Sequence, residues 1–332
     1  MTERAGLDES AETRSELLKA DHWTDDYQQF AALCRSTAEA TTSLRSVAHF
    51  SNNVVDFAIR PPGAPPFRTA GGLPWDEEVE TEGRPGRQLL RCVAEFSRTM
   101  DDLDTGYLMR VLAVAPGGAM HYGRVKRGQH LVSVTLSDAG VAELDRTMND
   151  TVSRIRGEIL HQPNEHMGGM EGAPLRVLDG PQKVTFNADR TTDPAVIAAL
   201  RQGWQSLVNR YDLQYAAYYR DWAPVCAGDA LGDRGIGPQQ VGVLSQARRA
   251  MYHDLAFRLR ASVASLAEPL RSIGLSGLTR LVLDVQEGAV YIHWLDGKEG
   301  DFVLGVTIDQ FEVANAETRL RELIGVITAT GS

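Results

Sequence analysis

The sequence predicts an α+β fold of two similar units in a pseudo-two-fold arrangement, each unit an antiparallel sheet packed with helices. Two observations lead to this prediction. The hydrophobic pattern gives both halves the same order of elements: helix, strand, strand, helix, strand, strand, strand, helix. In addition, LMRVLAVAPGGAM at 108–120 resembles LTRLVLDVQEGAV at 278–290, with identical residues at four of thirteen positions.

The length of the chain also favours two units. Its 332 residues exceed the usual size of a single hydrophobic core. We place an acidic flexible tail at 1–24, a first unit at 25–157, a connector at 158–192 and a second unit at 193–330. Residues 1–26 hold eight acidic and three basic residues, so half of the net charge of −10 lies here. Such a segment is typical of a solvated tail or, alternatively, of a docking arm for a basic partner.

The elements of the first unit follow from local patterns. Apolar residues recur at intervals of three, four and seven over 25–48, which predicts an amphipathic helix. VVDFAIR at 54–60 alternates as a strand does, and PPGAPP ends that strand because proline cannot donate to a sheet ladder. The pattern then predicts a short extended piece at 67–75, an acidic loop at 76–83, a helix at 87–100, strands at 107–115, 119–125 and 130–136, and a helix at 139–157.

The second unit opens with a strong helix start. Asp193 provides an N-cap, and Pro194 suits the first helical position. Because Pro269 should kink or shorten the last turn of a long helix, we end that helix near 268. The remaining predicted elements are strands at 213–222 and 224–231, the long helix at 238–268, strands at 278–285, 289–295 and 301–308, and a helix at 311–326.

The internal similarity continues beyond its first stretch. LVSVTLSDAGVA at 131–142 aligns with VLGVTIDQFEVA at 303–314 once two residues are added to the second hairpin, and the same offset holds through the next helix. Hairpin loops tolerate insertions whereas strands do not, so this pattern favours a duplication. The alternative is that any two units of buried strands look alike.

The C-terminal half resembles the roadblock/LC7 family. Its run at 278–323 is similar to the family's two strands, hairpin with a "dG" turn, third strand and last helix. The family's "lG-v" helix start is present as Ala139-Gly140-Val141 in the first half, whereas the second half has Phe311-Glu312-Val313. The resemblance implies a binding platform without catalysis: such domains pair into dimers that bind small GTPases or other partners. A tandem pair would form that dimer within one chain.

Charge and hydropathy exclude other classes of protein. An excess of 44 acidic over 34 basic residues argues against nucleic-acid binding, which needs clustered Lys and Arg. No apolar run reaches the roughly 20 residues of a membrane helix, and the first residues show no signal-peptide pattern, so we expect a cytoplasmic protein without membrane insertion. The three cysteines are far apart among apolar neighbours, which favours buried thiols over disulfides or zinc ligands.

Aromatic residues provide the candidate partner-binding surface. Tyr215 and Tyr219 share one face of a predicted strand that ends near Trp222. They could pack in the core, or they could form an exposed sheet face for a partner, since Tyr and Trp are favoured at interfaces. A second candidate anchor lies in the acidic loop, where Trp75 precedes Asp76 and Glu77.

The sequence contains no recognisable catalytic pattern. His121 and His130 fall on neighbouring strands, and His161 and His166 lie in the connector, but no HExxH or CxxC spacing accompanies them. The glycine-rich GDRGIG at 232–237 opens a helix without the Lys and Ser/Thr of a phosphate-binding loop. We therefore predict no catalytic residue, no cofactor and no metal site.

These observations leave three functional hypotheses. The first is a non-enzymatic binding or regulatory protein with tandem roadblock-like halves that engages a protein partner, with a small GTPase as the favoured class. The second is an acidic protein of the immunity or secretion-chaperone type that binds a basic protein. The third is a metal-dependent enzyme, for which the connector histidines are the only support.

Overall fold

A computed structural model describes residues 14–67, 77–162, 174–188, 193–232, 245–298 and 300–330. The chain forms two compact units. Unit 1 comprises residues 1–93, 112–165 and 265–276, and unit 2 comprises residues 94–111, 166–264 and 277–332. Each unit therefore takes in a short piece from outside the consecutive halves that the sequence predicted.

Unit 1 combines helices with antiparallel strands. Its first elements are strand β1 (Glu16–Lys19), a 3₁₀ turn (Asp25–Tyr27), helix α1 (Gln28–Ala40), strands β2 (Leu44–Ser51) and β3 (Val54–Arg60), and most of helix α2 (Glu78–Asp101). Strand β4 (Leu108–Ala115) contributes residues from Leu112 onward. The later elements are strands β5 (Gly118–Lys126) and β6 (Gln129–Thr135), helix α3 (Val141–Arg154) and a π-helical turn (Ile155–Ile159). Residues 265–276 add helix α6 (Ala267–Ser272).

The structure corrects several predictions at the start of unit 1. Residues 16–19 of the predicted tail form β1, which pairs with β3. The helix predicted at 25–48 ends at Ala40, and the apolar residues that follow it belong to β2, which is buried along nearly its whole length. The hairpin partner of β3 is thus β2 and not the stretch at 67–75, of which residues 68–75 lie outside the described residues.

The predicted acidic loop at 76–83 is also wrong in part. From Glu78 onward this stretch belongs to α2, whose first turn carries Glu78 and Glu80. Carboxylates are favourable at a helix N-terminus because they face the positive end of the helix dipole. The many acidic residues of this stretch led to the prediction of a solvated loop, whereas acidic residues also suit the first turns of a helix.

Unit 2 follows the predicted elements more closely. It contains strand β7 (Thr185–Ala188), helix α4 (Pro194–Leu207), strands β8 (Tyr215–Arg220) and β9 (Ala223–Asp229), helix α5 (Ser245–Ser265), strands β10 (Arg280–Val285), β11 (Gly288–Trp294) and β12 (Phe302–Thr307), a 3₁₀ turn (Gln310–Glu312) and helix α7 (Val313–Thr330). The predicted cap is confirmed, since the Asp193 carboxylate accepts the backbone N–H of Ala195 at 2.8 Å. Strand β7 lies in the predicted connector.

The strands of each unit are hydrogen-bonded in a defined order. In unit 1 the order is β1-β3-β2-β6-β5-β4, and in unit 2 it is β7-β9-β8-β12-β11-β10, with Leu108–Val111 of β4 next to β10. Neighbouring strands pair antiparallel, for example with Ala119 opposite Thr135 in unit 1 and Ala289 opposite Thr307 in unit 2. The predicted class, an α+β fold with antiparallel strands, is confirmed.

Two glycines begin the central hairpin strand of their units. A Cβ added to Gly118 would overlap the carbonyl oxygen of Thr135, and a Cβ added to Gly288 would overlap that of Thr307. Gly288 also has a φ of +143°, which side-chain-bearing residues rarely adopt. Both positions therefore require glycine because the neighbouring strand approaches too closely for a side chain.

The predicted state of the cysteines agrees with the structure. Cys34, Cys92 and Cys226 are buried and form no disulfide. Burial raises the pKa of the Cys34 thiol to about 12, because a thiolate would lose its hydration in the apolar interior.

Unit 2 contains a set of buried charges between its sheet and α7. Arg110 and Asp284 are fully buried, and Arg110 Nε lies 2.8 Å from the Asp284 carboxylate. Asp212 pairs with Arg319 at 2.9 Å, and Glu317 pairs with Arg280 at 2.5 Å. Each buried carboxylate has an arginine beside it, which is how a folded protein tolerates charges in its interior.

His293 makes the stability of unit 2 depend on pH. Its side chain is 12% exposed and lies 3.9 Å from Glu317, and burial lowers its pKa to about 4. The unfolded chain takes up this proton near pH 6.5, so the folded state loses stability as the pH falls from about 6.5 toward 4. We expect His293 to contribute roughly 2 kcal/mol to this loss.

Urea denaturation at several pH values tests this expectation. His293→Gln should reduce the loss of unfolding free energy between pH 6.5 and pH 4, because glutamine takes up no proton. His161→Gln is the matched control, since His161 is exposed. Equal slopes for the wild type and His293→Gln would contradict the assignment.

Candidate partner-binding site

The predicted anchors near the start of α2 are only partly described. Trp75 and Asp76 lie outside the described residues. Glu77 is exposed, and the negative charge of Asp21 raises the pKa of its carboxyl group. Two carboxylates that repel each other in this way favour a cation between them.

Tyr215 and Tyr219 do not form an exposed face. Their relative exposures are 1% and 0%, so the expectation of a partner surface at these two residues is wrong and the core-packing alternative holds. Tyr215 packs against Tyr252, with ring centroids 5.4 Å apart. Tyr219 stacks on Phe302 at 4.6 Å, and its hydroxyl donates to the carbonyl of His253 in α5. Helix α5 covers the strand face on which both tyrosines lie.

Trp222 differs from the two tyrosines because it lies in the turn between β8 and β9. It is partly exposed and adopts a left-handed conformation with φ of 63°. Its backbone N–H donates to the carbonyl of Gly300, and its ring meets Phe302 edge-on at 5.0 Å. The turn thus holds the indole ring in a fixed position at the edge of the aromatic core.

Helix α5 adds two exposed residues, of which Arg260 lies beside Trp222. The guanidinium of Arg260 lies 4.9 Å from the centre of the indole ring, a distance at which a cation is attracted to an aromatic face. Phe257 is 52% exposed and lies three positions earlier, on the same helix face as Arg260. We call Trp222, Phe257 and Arg260 the aromatic–arginine patch.

Sequence reasoning missed Phe257 and Arg260, although a signal was present. The buried residues of α5 include Tyr252, Leu255, Ala256, Leu259 and Val263, which form one stripe along the helix. Phe257 falls outside that stripe. A large aromatic residue on the polar face of an amphipathic helix is unusual and marks a candidate interaction site.

The histidines have separate contacts. His121 Nε2 lies 2.9 Å from the side-chain oxygen of Asn149, and His130 Nδ1 lies 3.0 Å from the Tyr122 hydroxyl. His161 is exposed, and His166 lies outside the described residues, as do residues 233–237 of GDRGIG. In the ranges that the structure describes, no group of three or more His, Cys, Asp or Glu side chains is arranged to hold a metal ion.

A His–Asp–His arrangement in unit 1, in which His49 and Asp56 are buried and His22 is exposed, was not predicted. Asp56 is bound by Nδ1 of His49 at 2.7 Å and by Nε2 of His22 at 3.0 Å. Burial alone would raise the pKa of Asp56, but the hydrogen bond and charge of His49 outweigh it and lower that pKa. The His49 ring is fully buried between Phe30 and Phe57. We interpret the arrangement as an anchor that holds the segment around His22 to β3.

The fold and the patch define an α+β protein with an exposed aromatic–arginine surface. No helix among the described residues has the length and apolar character needed to cross a membrane. No family model matches the sequence, and no curated protein is similar to it.

Proposed function

We propose that the chain is a non-enzymatic binding protein that docks a protein partner on the aromatic–arginine patch of unit 2. The observations that carry this proposal are a Trp222 ring held by its turn and by Arg260, and an exposed Phe257 on the same face of α5 as Arg260. Protein–protein interfaces concentrate their binding energy in a few Trp, Tyr and Arg residues, and their cores are enriched in aromatic residues and arginine.

The fixed geometry of the patch supports this role. Phe302 and Arg260 both contact the Trp222 ring, so a partner would find the ring already in place. Binding to such an ordered side chain costs less conformational entropy than binding to a mobile one. Phe257 adds apolar area that a partner would remove from water.

We also propose that the two units are divergent copies of one roadblock-like unit in a pseudo-two-fold arrangement. The two units have the same strand order: β1-β3-β2-β6-β5-β4 in unit 1 corresponds to β7-β9-β8-β12-β11-β10 in unit 2. Gly118 and Gly288 occupy matching places, each one position before the residue that lies opposite Thr135 or Thr307. A small GTPase in the cytoplasm is the partner class that the resemblance implies. A superposition of residues 107–156 on 277–326 in an experimental structure would test the duplication.

Affinity capture with patch variants tests the docking proposal. We expect Trp222→Ala and Phe257→Ser each to weaken binding of the captured partner by roughly thirtyfold, because a central aromatic anchor contributes about 2 kcal/mol. Capture should be compared with a GTP analogue, with GDP and without nucleotide, followed by titration of the purified partner. Binding that does not depend on nucleotide would exclude a small GTPase as the partner.

Phe311→Ser is the matched control, because Phe311 is 65% exposed in the same unit and lies outside the patch. It should leave the affinity unchanged. If the control weakens binding as much as Phe257→Ser does, or if neither patch variant weakens it, the patch is not the docking site.

A second candidate function is supported by the acidic residues of unit 1. Glu77 and Asp21 repel each other strongly enough to raise the pKa of Glu77, and a basic protein would relieve that repulsion. Binding of this kind should weaken steeply with added salt and should not respond to Trp222→Ala. The two functions therefore differ in salt dependence and in the variant that abolishes binding.

A further inference from the structure

We propose that unit 1 contains a binding site for a small zwitterionic ligand of the amino-acid or short-peptide class. A cavity of about 530 Å³ lies between the start of α1, the β5–β6 hairpin and the end of the π-helical turn. Small-molecule sites in proteins have volumes of roughly 300–1,000 Å³, so the space is sufficient. The site is separate from the aromatic–arginine patch, which belongs to unit 2.

The cavity has opposite charges on two of its walls. Asp25 and Asp26 lie on the wall that precedes α1, and Lys126 lies on the hairpin wall. Across the ranges that the structure describes, none of these three side chains forms an ion pair. Asp25 and Asp26 are exposed, and all three residues line the cavity, so a ligand with one positive and one negative group would match both walls.

A further polar group supports the orientation of the ligand. Gln129 lines the cavity, and its buried Oε1 atom has no hydrogen-bond partner among the described residues. A buried carbonyl oxygen without a donor costs free energy, which a ligand N–H group would recover. Gln129 is the register partner of Lys126 and so belongs to the hairpin wall of the cavity.

The remaining wall is apolar and well supported. Phe30, Ile159 and Leu160 line it, together with the ring of Tyr27. Phe30 stacks on His49, which is held by Asp56 at 2.7 Å, and the Tyr27 hydroxyl lies 3.4 Å from Ser51 Oγ. The His49–Asp56 pair therefore supports this wall of the cavity. Because the wall is already ordered, binding of a ligand costs little conformational entropy.

These contacts define the ligand by its chemistry. The ammonium group lies toward Asp25 and Asp26, the carboxylate lies toward Lys126, and an apolar side chain packs on Phe30, Ile159 and Leu160. A purely anionic ligand is repelled by two carboxylates, and a purely cationic ligand leaves Lys126 without a partner. Free amino acids and short peptides share the required chemistry.

Isothermal titration of the full chain with four probes tests the proposal. Leucine and the dipeptide Leu-Leu carry both charges, whereas N-acetyl-leucine lacks the ammonium and leucinamide lacks the carboxylate. We expect the better of the two zwitterions to bind at least about tenfold more tightly than either blocked probe. The comparison of leucine with Leu-Leu identifies the free amino acid or the peptide as the source of the ligand chemistry.

Variants of the charged walls provide the second part of the test. Lys126→Met should abolish the preference for leucine over leucinamide, and Asp25→Asn with Asp26→Asn should abolish the preference over N-acetyl-leucine. Lys183→Met is the matched control, since Lys183 is exposed and lies outside the cavity. The absence of binding by both zwitterions, equal binding by the blocked probes, or an equal effect of Lys183→Met would overturn the proposal. None of these results bears on partner docking at Trp222.

Discussion

Arg110→Leu is expected to lower the free energy of unfolding by about 3–5 kcal/mol, the largest effect of any substitution considered for this protein. Arg110 and Asp284 lie on neighbouring strands of unit 2, and their side chains are 1% and 0% exposed. Removal of the guanidinium leaves the Asp284 carboxylate buried without its 2.8 Å partner. A carboxylate in that position must either stay charged in a dry interior or take up a proton, and both are costly.

The double variant Arg110→Met with Asp284→Leu separates charge from packing. It should recover most of the lost stability, because replacement of both charges by apolar groups is often neutral or stabilising. Arg154→Met is the control: Arg154 pairs with Glu158 on the surface, and the loss of an exposed pair costs at most about 1 kcal/mol. Urea denaturation measures all three variants. If the double variant is no more stable than Arg110→Leu, the loss of stability comes from altered packing and not from the unpaired charge of Asp284.

Gly288→Ala is expected to lower the free energy of unfolding by about 3 kcal/mol, since the new methyl group overlaps the Thr307 carbonyl and the residue has positive φ. Gly118→Ala should have a similar effect through the carbonyl of Thr135. Thermal or urea denaturation provides the measurement. If either alanine variant is as stable as the wild type, the strands are further apart than the structure shows.

Gly325→Ala is the matched control for these two variants. Gly325 lies inside helix α7, and a Cβ there would meet nothing within 4 Å. Alanine in a helix interior is better than glycine by roughly 0.5–1 kcal/mol, so this variant should be slightly more stable than the wild type. If Gly→Ala lowers the free energy of unfolding at positions 118 and 288 but raises it at position 325, the contact made by the new methyl group determines the effect of the substitution.

Much of the fold could be predicted because its strongest signals are local. The helix start at Asp193 and Pro194 depends on a cap and on a fixed φ, and both act within one turn. The strands from β4 to β6 and from β10 to β12 are short, largely apolar runs separated by turn residues, so they could be recognised locally. Strand β2 was missed because Leu44 and Val47 continue the helical spacing of α1 while they also suit a buried strand.

The candidate site was harder to predict than the elements. The sequence left Tyr215 and Tyr219 open between the core and an exposed face, because the helix that covers them, α5, lies about 35 residues away in the chain. Phe257 carried a usable signal in its position off the apolar stripe. The cavity carried none, because its walls come from three separate segments around Asp26, Lys126 and Leu160.

The sequence by itself determined the α+β class, the hairpins at Gly118 and Gly288, and most of the strands, because capping, turns and alternation depend on neighbouring residues. Only the tertiary structure decided that Tyr215 and Tyr219 are core residues and that Trp222 meets Arg260. It also decided that Arg110 faces Asp284 across two strands. Burial and charge pairing depend on which segments of the chain meet in space. A hydrophobic pattern indicates that one face of a helix or strand is buried, but it does not indicate which segment packs against that face.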